Sequence, residues 1–186
     1  MVEDQILNEI NQNIDEYIAF LQKLIQADSY NPPGNEKNVA LVIDEYLQNA
    51  NIKSEIHSFG NNRANLIAYL NDNFEGMNLL YNGHMDVVPP GNEKEWKYPP
   101  LSAVIKGSKA KRKIFGRGAV DMKSGLAAMV IAFSILKKLD LKISGNLILN
   151  AVADEEIGGR GGTKWCLEEW LISKNINFVI IGEPTG

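Results

Sequence analysis

The chain predicts an α/β fold: a central, twisted, mostly parallel or mixed sheet with helices on both faces. Two patterns point there. Segments with helical spacing of apolar residues alternate with short strand-like runs, and several of those runs are continuously apolar, as strands buried on both faces are. A third observation sets the scale, because 186 residues with 45% hydrophobic and 23% charged side chains suit one globular unit with a substantial core.

The elements follow in order. From Ile6 to Ile25, apolar residues recur at Ile6, Ile10, Ile14, Tyr17, Leu21 and Leu24, an amphipathic helix that stops before Asn31-Pro32-Pro33-Gly34. Asn35 is a good N-cap for a second helix presenting Val39, Val42, Ile43, Tyr46 and Leu47, which ends at Asn49 and Asn51. Strands are expected at Ile52 to Ser58, Asn65 to Leu70 and Asn78 to Tyr81. Leu101 to Lys106 and Lys113 to Phe115 flank a polar tip, Gly107-Ser108-Lys109-Ala110, and read as a hairpin. Lys123 to Leu139 is apolar almost all round, the pattern of a buried helix. Asn146 to Ala153 and Asn177 to Ile181 read as buried strands, separated by a helix carrying Trp165, Leu167, Trp170 and Leu171.

Composition excludes several functions. A net charge of -4 gives no global attraction to nucleic acid or an anionic membrane. The basic run Lys106 to Lys113 lacks interleaved aromatics and reads as a solvated loop. One cysteine, Cys166, cannot form an internal disulfide, and without a neighbouring histidine it reads as a packed small hydrophobe. The acidic start does not resemble a secretory signal and the densest apolar stretch is too short to span a bilayer, so a cytoplasmic location is expected.

Chemistry concentrates at four places. In NLLYNGHMDVVPPG, His84 and Asp86 follow a strand, and the carboxyl ends of strands are where open α/β sheets bind ligands. Asp86 is either a second ligand or the carboxylate that fixes the tautomer of His84. In GRGAVDMKSG, Asp121 precedes the buried helix, where it either caps that helix or presents a carboxylate oriented by the helix dipole. AVADEEIGG ends a strand with Glu155 and Glu156 side by side. On extended backbone these diverge, so one can bind metal while its neighbour faces the attacking water. FVIIGEPTG exposes Glu183 after another apolar strand. Each place alone has a bland reading as a satisfied strand-end histidine or a solvated acid. Together they form the imidazole and carboxylate mixture that divalent metals require.

GHMDVVPPG, the Trp96 to Pro100 segment, GRGAVDMKSG, ADEEIGG and IGEPTG resemble, in order, the catalytic domain of the acetylornithine deacetylase, succinyl-diaminopimelate desuccinylase, aminoacylase and glutamate carboxypeptidase family. The resemblance implies a zinc-peptidase-like fold and an amide hydrolase using two divalent metals, zinc or cobalt, on N-acyl amino acids or small peptides. By the same resemblance His84 and Glu183 hold one metal, Asp121 bridges both, and Glu156 binds the second. Glu155 is the general base, Asp86 orients His84, and the Asp121-Met122 peptide is cis. Trp96 and Tyr98 either wall the cleft or pack on a loop.

Residues 1–186 then correspond to the N-terminal portion of the catalytic domain, with the lid or dimerisation domain and a C-terminal return segment absent. The family's last metal-binding histidine lies in that return segment. This chain has His57 and His84 only, and His57 matches no motif. The expectation is one firmly held metal, a second held weakly, little or no hydrolysis, and self-association through uncovered apolar surface. The alternative is a metal-binding or interaction module without catalysis. A two-metal aminopeptidase with another ligand order is disfavoured because Met-Lys-Ser-Gly, not a second acid, follows Asp121.

Overall fold

The computed structural model describes residues 1–71, 76–108, 111–172 and 175–185. Two helices come first, α1 (Val2–Gln26) and α2 (Glu36–Asn49). Asn35 is the N-cap of α2, as its residue type suggests, although its side-chain oxygen accepts from Asn62 Nδ2 rather than from the helix. Strands β1 (Ser54–Gly60), β2 (Arg63–Tyr69) and β3 (Asn78–His84) follow, then the hairpin β4 (Val104–Lys106) and β5 (Lys113–Phe115). Within the expected hairpin tip, Lys109 and Ala110 lie outside the described residues. Helix α3 (Lys123–Lys138), strand β6 (Asn146–Val152), the short helix α4 (Trp165–Glu168) and strand β7 (Phe178–Ile181) complete the chain.

The main sheet has five strands in the order β1-β2-β6-β3-β7. β6, β3 and β7 run parallel, whereas β2 is antiparallel to β6 and β1 to β2, which makes the sheet mixed. Helices α2 and α3 cover one face, and α1 packs against both of them. Leu24, Ile43, Leu47, Leu126, Val130 and Phe133 pack there against Leu66, Leu147 and Leu149. The other face meets α4 and the segment after it, through Cys166 and Ile172 against Ile67, Leu80 and Ile148. β6 is the central strand and every residue in it is buried, which is why its sequence shows no polar alternation.

Two expectations need correction. The helix before β7 is short: an irregular helical stretch, Arg160–Lys164, leads into α4, and Trp170 lies beyond it at positive φ and is exposed. β7 was expected to be buried, yet Phe178, Val179, Ile180 and Ile181 are all exposed. It is an edge strand, and no described strand pairs with its outer side. A continuous apolar run specifies a strand, but does not say whether that strand sits at the centre or at the edge of the sheet.

Candidate metal centre

Three parallel strands deliver the site. His84 is the last residue of β3 and pairs in register with Val152 at the end of β6, and Asn82 pairs with Ile181 at the end of β7. The ladder runs one step further through Met85 N–H to Val152 O (2.7 Å) and Gly182 N–H to Asn82 O (3.3 Å). Everything that follows these strands therefore leaves from one edge of the sheet. The segment 83–86, the turn Glu155–Ile157 and Glu183 are neighbours for that reason.

Asp121 arrives from a different direction, in the tight turn before α3. Met122, not Asp121, is the N-cap residue, so the capping role is not used and the Asp121 carboxylate is free for the site. The Asp121-Met122 peptide is cis, as the resemblance implies, and Met122 Sδ receives the His84 N–H at 3.1 Å. Glycine makes the last approach possible. A Cβ on Gly125, in the first turn of α3, would collide with the backbone carbonyl of Gly182, so the two glycines let the helix seat against the residue preceding Glu183.

His84 Nε2 lies 3.1 Å from Asp121 Oδ1 and 3.2 Å from Glu183 Oε1. Among the described residues, one ligand atom each from His84, Asp121 and Glu183 lie within 4.8 Å of one another. The imidazole is buried at 1% side-chain exposure, whereas Asp121 is 58% exposed, so the group is a fixed base with carboxylates open to solution. That donor set of one imidazole and two carboxylates fits a divalent cation. Glu155 Oε2 stands 3.7 Å from the same Nε2. Glu156 is outside the close group, within electrostatic reach of Asp121 and His84.

Asp86 is a hub rather than a ligand. Its backbone carbonyl is 2.9 Å from His84 Nδ1 and its carboxylate 3.5 Å, so the carbonyl is the nearer partner that places a proton on Nδ1 and turns Nε2 toward the acids. The Asp86 carboxylate instead accepts the N–H groups of Glu155 and Glu156 at 3.1 and 3.2 Å and Asn31 Nδ2 at 2.8 Å. One buried side chain thus ties the histidine's strand to the loop bearing both glutamates.

The electrostatics follow from burial and crowding. Burial pushes the His84 imidazole pKa down, but Asp86 and Glu183 outweigh it and hold the value up to about 9. Glu183 and Glu156 are raised, first by burial and then by neighbouring acids including Asp121. Asp86 is lowered: burial opposes ionisation, and hydrogen bonds from His84 and Asn31 prevail. These are the signs of negative charge gathered around one imidazole, which a divalent cation would relieve.

Several contributors support the site without being among the candidate ligands. Lys123 is fully buried and donates to Ala27 O at 2.8 Å, and its pKa is pushed down to about 7, chiefly by burial. Arg63, Glu36, Asn31 and Asp154 belong to the same support, through hydrogen bonds that span up to 91 positions along the chain, which no local spacing rule can join. His57 stays apart, 3.5 Å from Glu55 on the edge strand β1. Trp96 packs on a loop, donating from Nε1 to Pro90 O and stacking under Arg117. Tyr98 meets Phe115 edge-on.

A small cavity of about 290 Å³ opens at this site, lined in part by His84, Glu155, Thr163 and Glu183. Residues 80–186 match the family model described as Peptidase family M20/M25/M40. The chain is 36% identical over 178 residues to succinyl-diaminopimelate desuccinylase of Blochmanniella pennsylvanica, covering 94% of this chain and 44% of that protein. It is 31% identical over 168 residues to N-formyl-4-amino-5-aminomethyl-2-methylpyrimidine deformylase of Halalkalibacterium halodurans, covering 89% and 38%.

Among solved structures, an M20 family metallo-carboxypeptidase from Sulfolobus solfataricus superposes with a TM-score of 0.73 at 27% identity, over 94% of this chain and 37% of that one. Human carnosine dipeptidase 1 gives 0.79 at 18% identity, over 98% and 41%, a likeness of fold alone. The chain spans less than half the length of each of these proteins.

Proposed function

The chain belongs to peptidase family M20/M25/M40, and from that premise we propose that it is the ligand-bearing part of a metal-dependent amide hydrolase of the desuccinylase, deacetylase or peptidase type, acting on N-acyl amino acids or small peptides. The observation that carries this is the convergence of His84, Asp121 and Glu183 within 4.8 Å at the carboxyl edge of the sheet. These three would hold the first divalent cation, zinc or cobalt. Asp121 and Glu156 would share the second. When bound, such cations polarise a carbonyl oxygen and acidify water.

The protein's own groups do the rest. Glu155, exposed and beside the imidazole, would take a proton from the attacking water and return it to the leaving amine. Asp86 keeps His84 in the tautomer with its proton on Nδ1 and fixes the backbone of Glu155. The cavity carries two acids, Glu155 and Glu183, beside apolar lining such as Val152 and Ile181, and its size suits a small substrate.

The 186-residue chain itself holds one metal firmly and a second weakly, because its other histidine, His57, is on the far edge of the sheet. Hydrolysis is correspondingly slow, since rate depends on positioning as well as on ligands. The exposed apolar strand β7 favours self-association. A cytoplasmic setting is consistent with this, and among the described residues no helix is long and apolar enough to cross a membrane.

Titration calorimetry with cobalt, alongside hydrolysis of N-succinyl and N-acetyl amino acids, tests the reading. One tight equivalent with hydrolysis near background is expected. No tight equivalent would overturn the metal centre, and two equal ones would overturn the single-site assignment. A pure metal-binding module is the second reading, favoured by the lack of a second imidazole near Glu156, and a clear turnover of any acyl amino acid would eliminate it.

A further inference from the structure

The side chains of Glu155 and Glu156 can act only if their backbone is held, and it is held from two sides. On one side both N–H groups bind Asp86. On the other stands Asp154, a non-glycine residue at φ 73 immediately before the pair. Its Oδ2 accepts the Gly161 N–H at 2.9 Å and its carbonyl accepts the Gly159 N–H, so Asp154 closes the loop 154–161 on itself.

Asp154 Oδ1 receives Arg63 Nη2 at 2.7 Å. The same guanidinium reaches Glu36 through Nη2 at 2.7 Å and Nε at 3.3 Å, and Glu36 is fully buried at the start of α2. Arg63 is enclosed as well as paired. The Phe59 ring lies 5.2 Å from its Cζ, and Gly34, at φ +95, passes so close that a Cβ there would meet the guanidinium. Two of the three charges lie before residue 80, outside the segment matched to the family model.

We infer that Arg63 is a positioning residue for the acidic pair, clamping Asp154 to the buried anchor Glu36 so that Glu155 and Glu156 face the metal centre. The inference deepens the proposed function and rests on its reading of the pair. A rigid planar fork is the side chain suited to bridging two carboxylates at once, which a lysine ammonium does less well. A purely structural ion pair would give stability but would leave the loop unchanged once stability was restored by other means.

That difference is the test. Arg63→Met leaves Glu36 buried and unpaired, so the double variant Arg63→Met with Glu36→Gln removes the stranded charge while still releasing Asp154. Hydrogen exchange is followed on the metal-free chain by mass spectrometry. The clamp requires exchange across 154–161 to rise about tenfold or more in the double variant, while peptides from β3 and α3 keep the parent rate. Cobalt affinity at the weaker, Glu156-dependent position falls about 10–100-fold in the same variant, the usual cost of losing an outer partner. Exchange that does not rise, rises uniformly, or a double variant that fails to fold assigns Arg63 to the scaffold alone and overturns the inference. A parent chain that takes up no cobalt would sink the metal reading, while the exchange result, read without metal, would still decide the clamp.

Discussion

A cation entering this site must displace a proton from His84, and the size of that competition can be worked out. The imidazole pKa of about 9 lies above an ordinary histidine because Asp86 and Glu183 outweigh burial. At pH 7 the ring is then protonated by about a hundred to one, and the apparent metal affinity is reduced about a hundredfold from its limit at high pH. Between pH 7 and 8.5 the apparent constant should rise about 20-fold, whereas a histidine at about 6.5 would allow less than 1.5-fold over the same interval.

Calorimetric titration with cobalt in pairs of buffers of different ionisation enthalpy measures both the slope and the protons released. About one proton should leave per tightly bound cation at pH 7. Asp86→Asn should flatten the slope, because it removes the carboxylate that raises the imidazole. A flat affinity between pH 7 and 8.5 in the parent, or release close to zero, would refute the argument that the acids hold His84 protonated.

Other outcomes follow from the same geometry. Glu183→Gln should weaken the tight site by more than the roughly hundredfold cost of losing an outer partner, since it removes a ligand, and equilibrium dialysis would show it. Gly125→Ala should cost about 1–3 kcal/mol and weaken cobalt binding together with stability, because the new methyl meets the Gly182 carbonyl; a stable variant with parent affinity would disprove that close approach. Lys123 and His84 should oppose each other in the metal-free chain. The Lys123 pKa is depressed to about 7, so the unfolded chain binds the extra proton from there to about 10.5 and stability rises with pH in that window. The His84 pKa is raised to about 9, so its contribution is fully present below about 6.5 and is lost as pH rises through 9. Urea denaturation should therefore give a shallow parent profile from pH 7 to 9 and a falling one in Lys123→Met; identical profiles would contradict the assignment.

Strand ends were legible in the sequence because the main-chain pattern and the chemistry coincide there. An apolar run stops, and His84 or Glu183 stands at or just beyond the stop, on backbone that the parallel ladder brings to one edge. Asp121 was legible for a different reason, as the acid in a glycine turn before a buried helix. The division of labour between Glu155 and Glu156 was argued from extended backbone, on which neighbours diverge. The pair sits instead on a short helical turn after the left-handed Asp154, so alternation does not govern it, and Glu155 comes nearer to His84. Sequence spacing carries no information about such a turn until the residue that enforces it is known.

The support of the site was illegible for a more general reason. Arg63 and Asn31 look like ordinary surface or turn residues in the chain, and their burial is a product of the fold: α2, β2, β3 and β6 must assemble before Asn31 meets Asp86 or Arg63 meets Asp154. A ligand must face the cation and so obeys a local rule about where strands end. A residue that holds the ligand's backbone can come from any element packed behind it. The ligand set is thus the part of the site a sequence can announce, while the rigidity that makes the set usable is written in pairs far apart along the chain, which is why the Arg63 clamp, rather than another ligand substitution, is the sharper test of how this site is built.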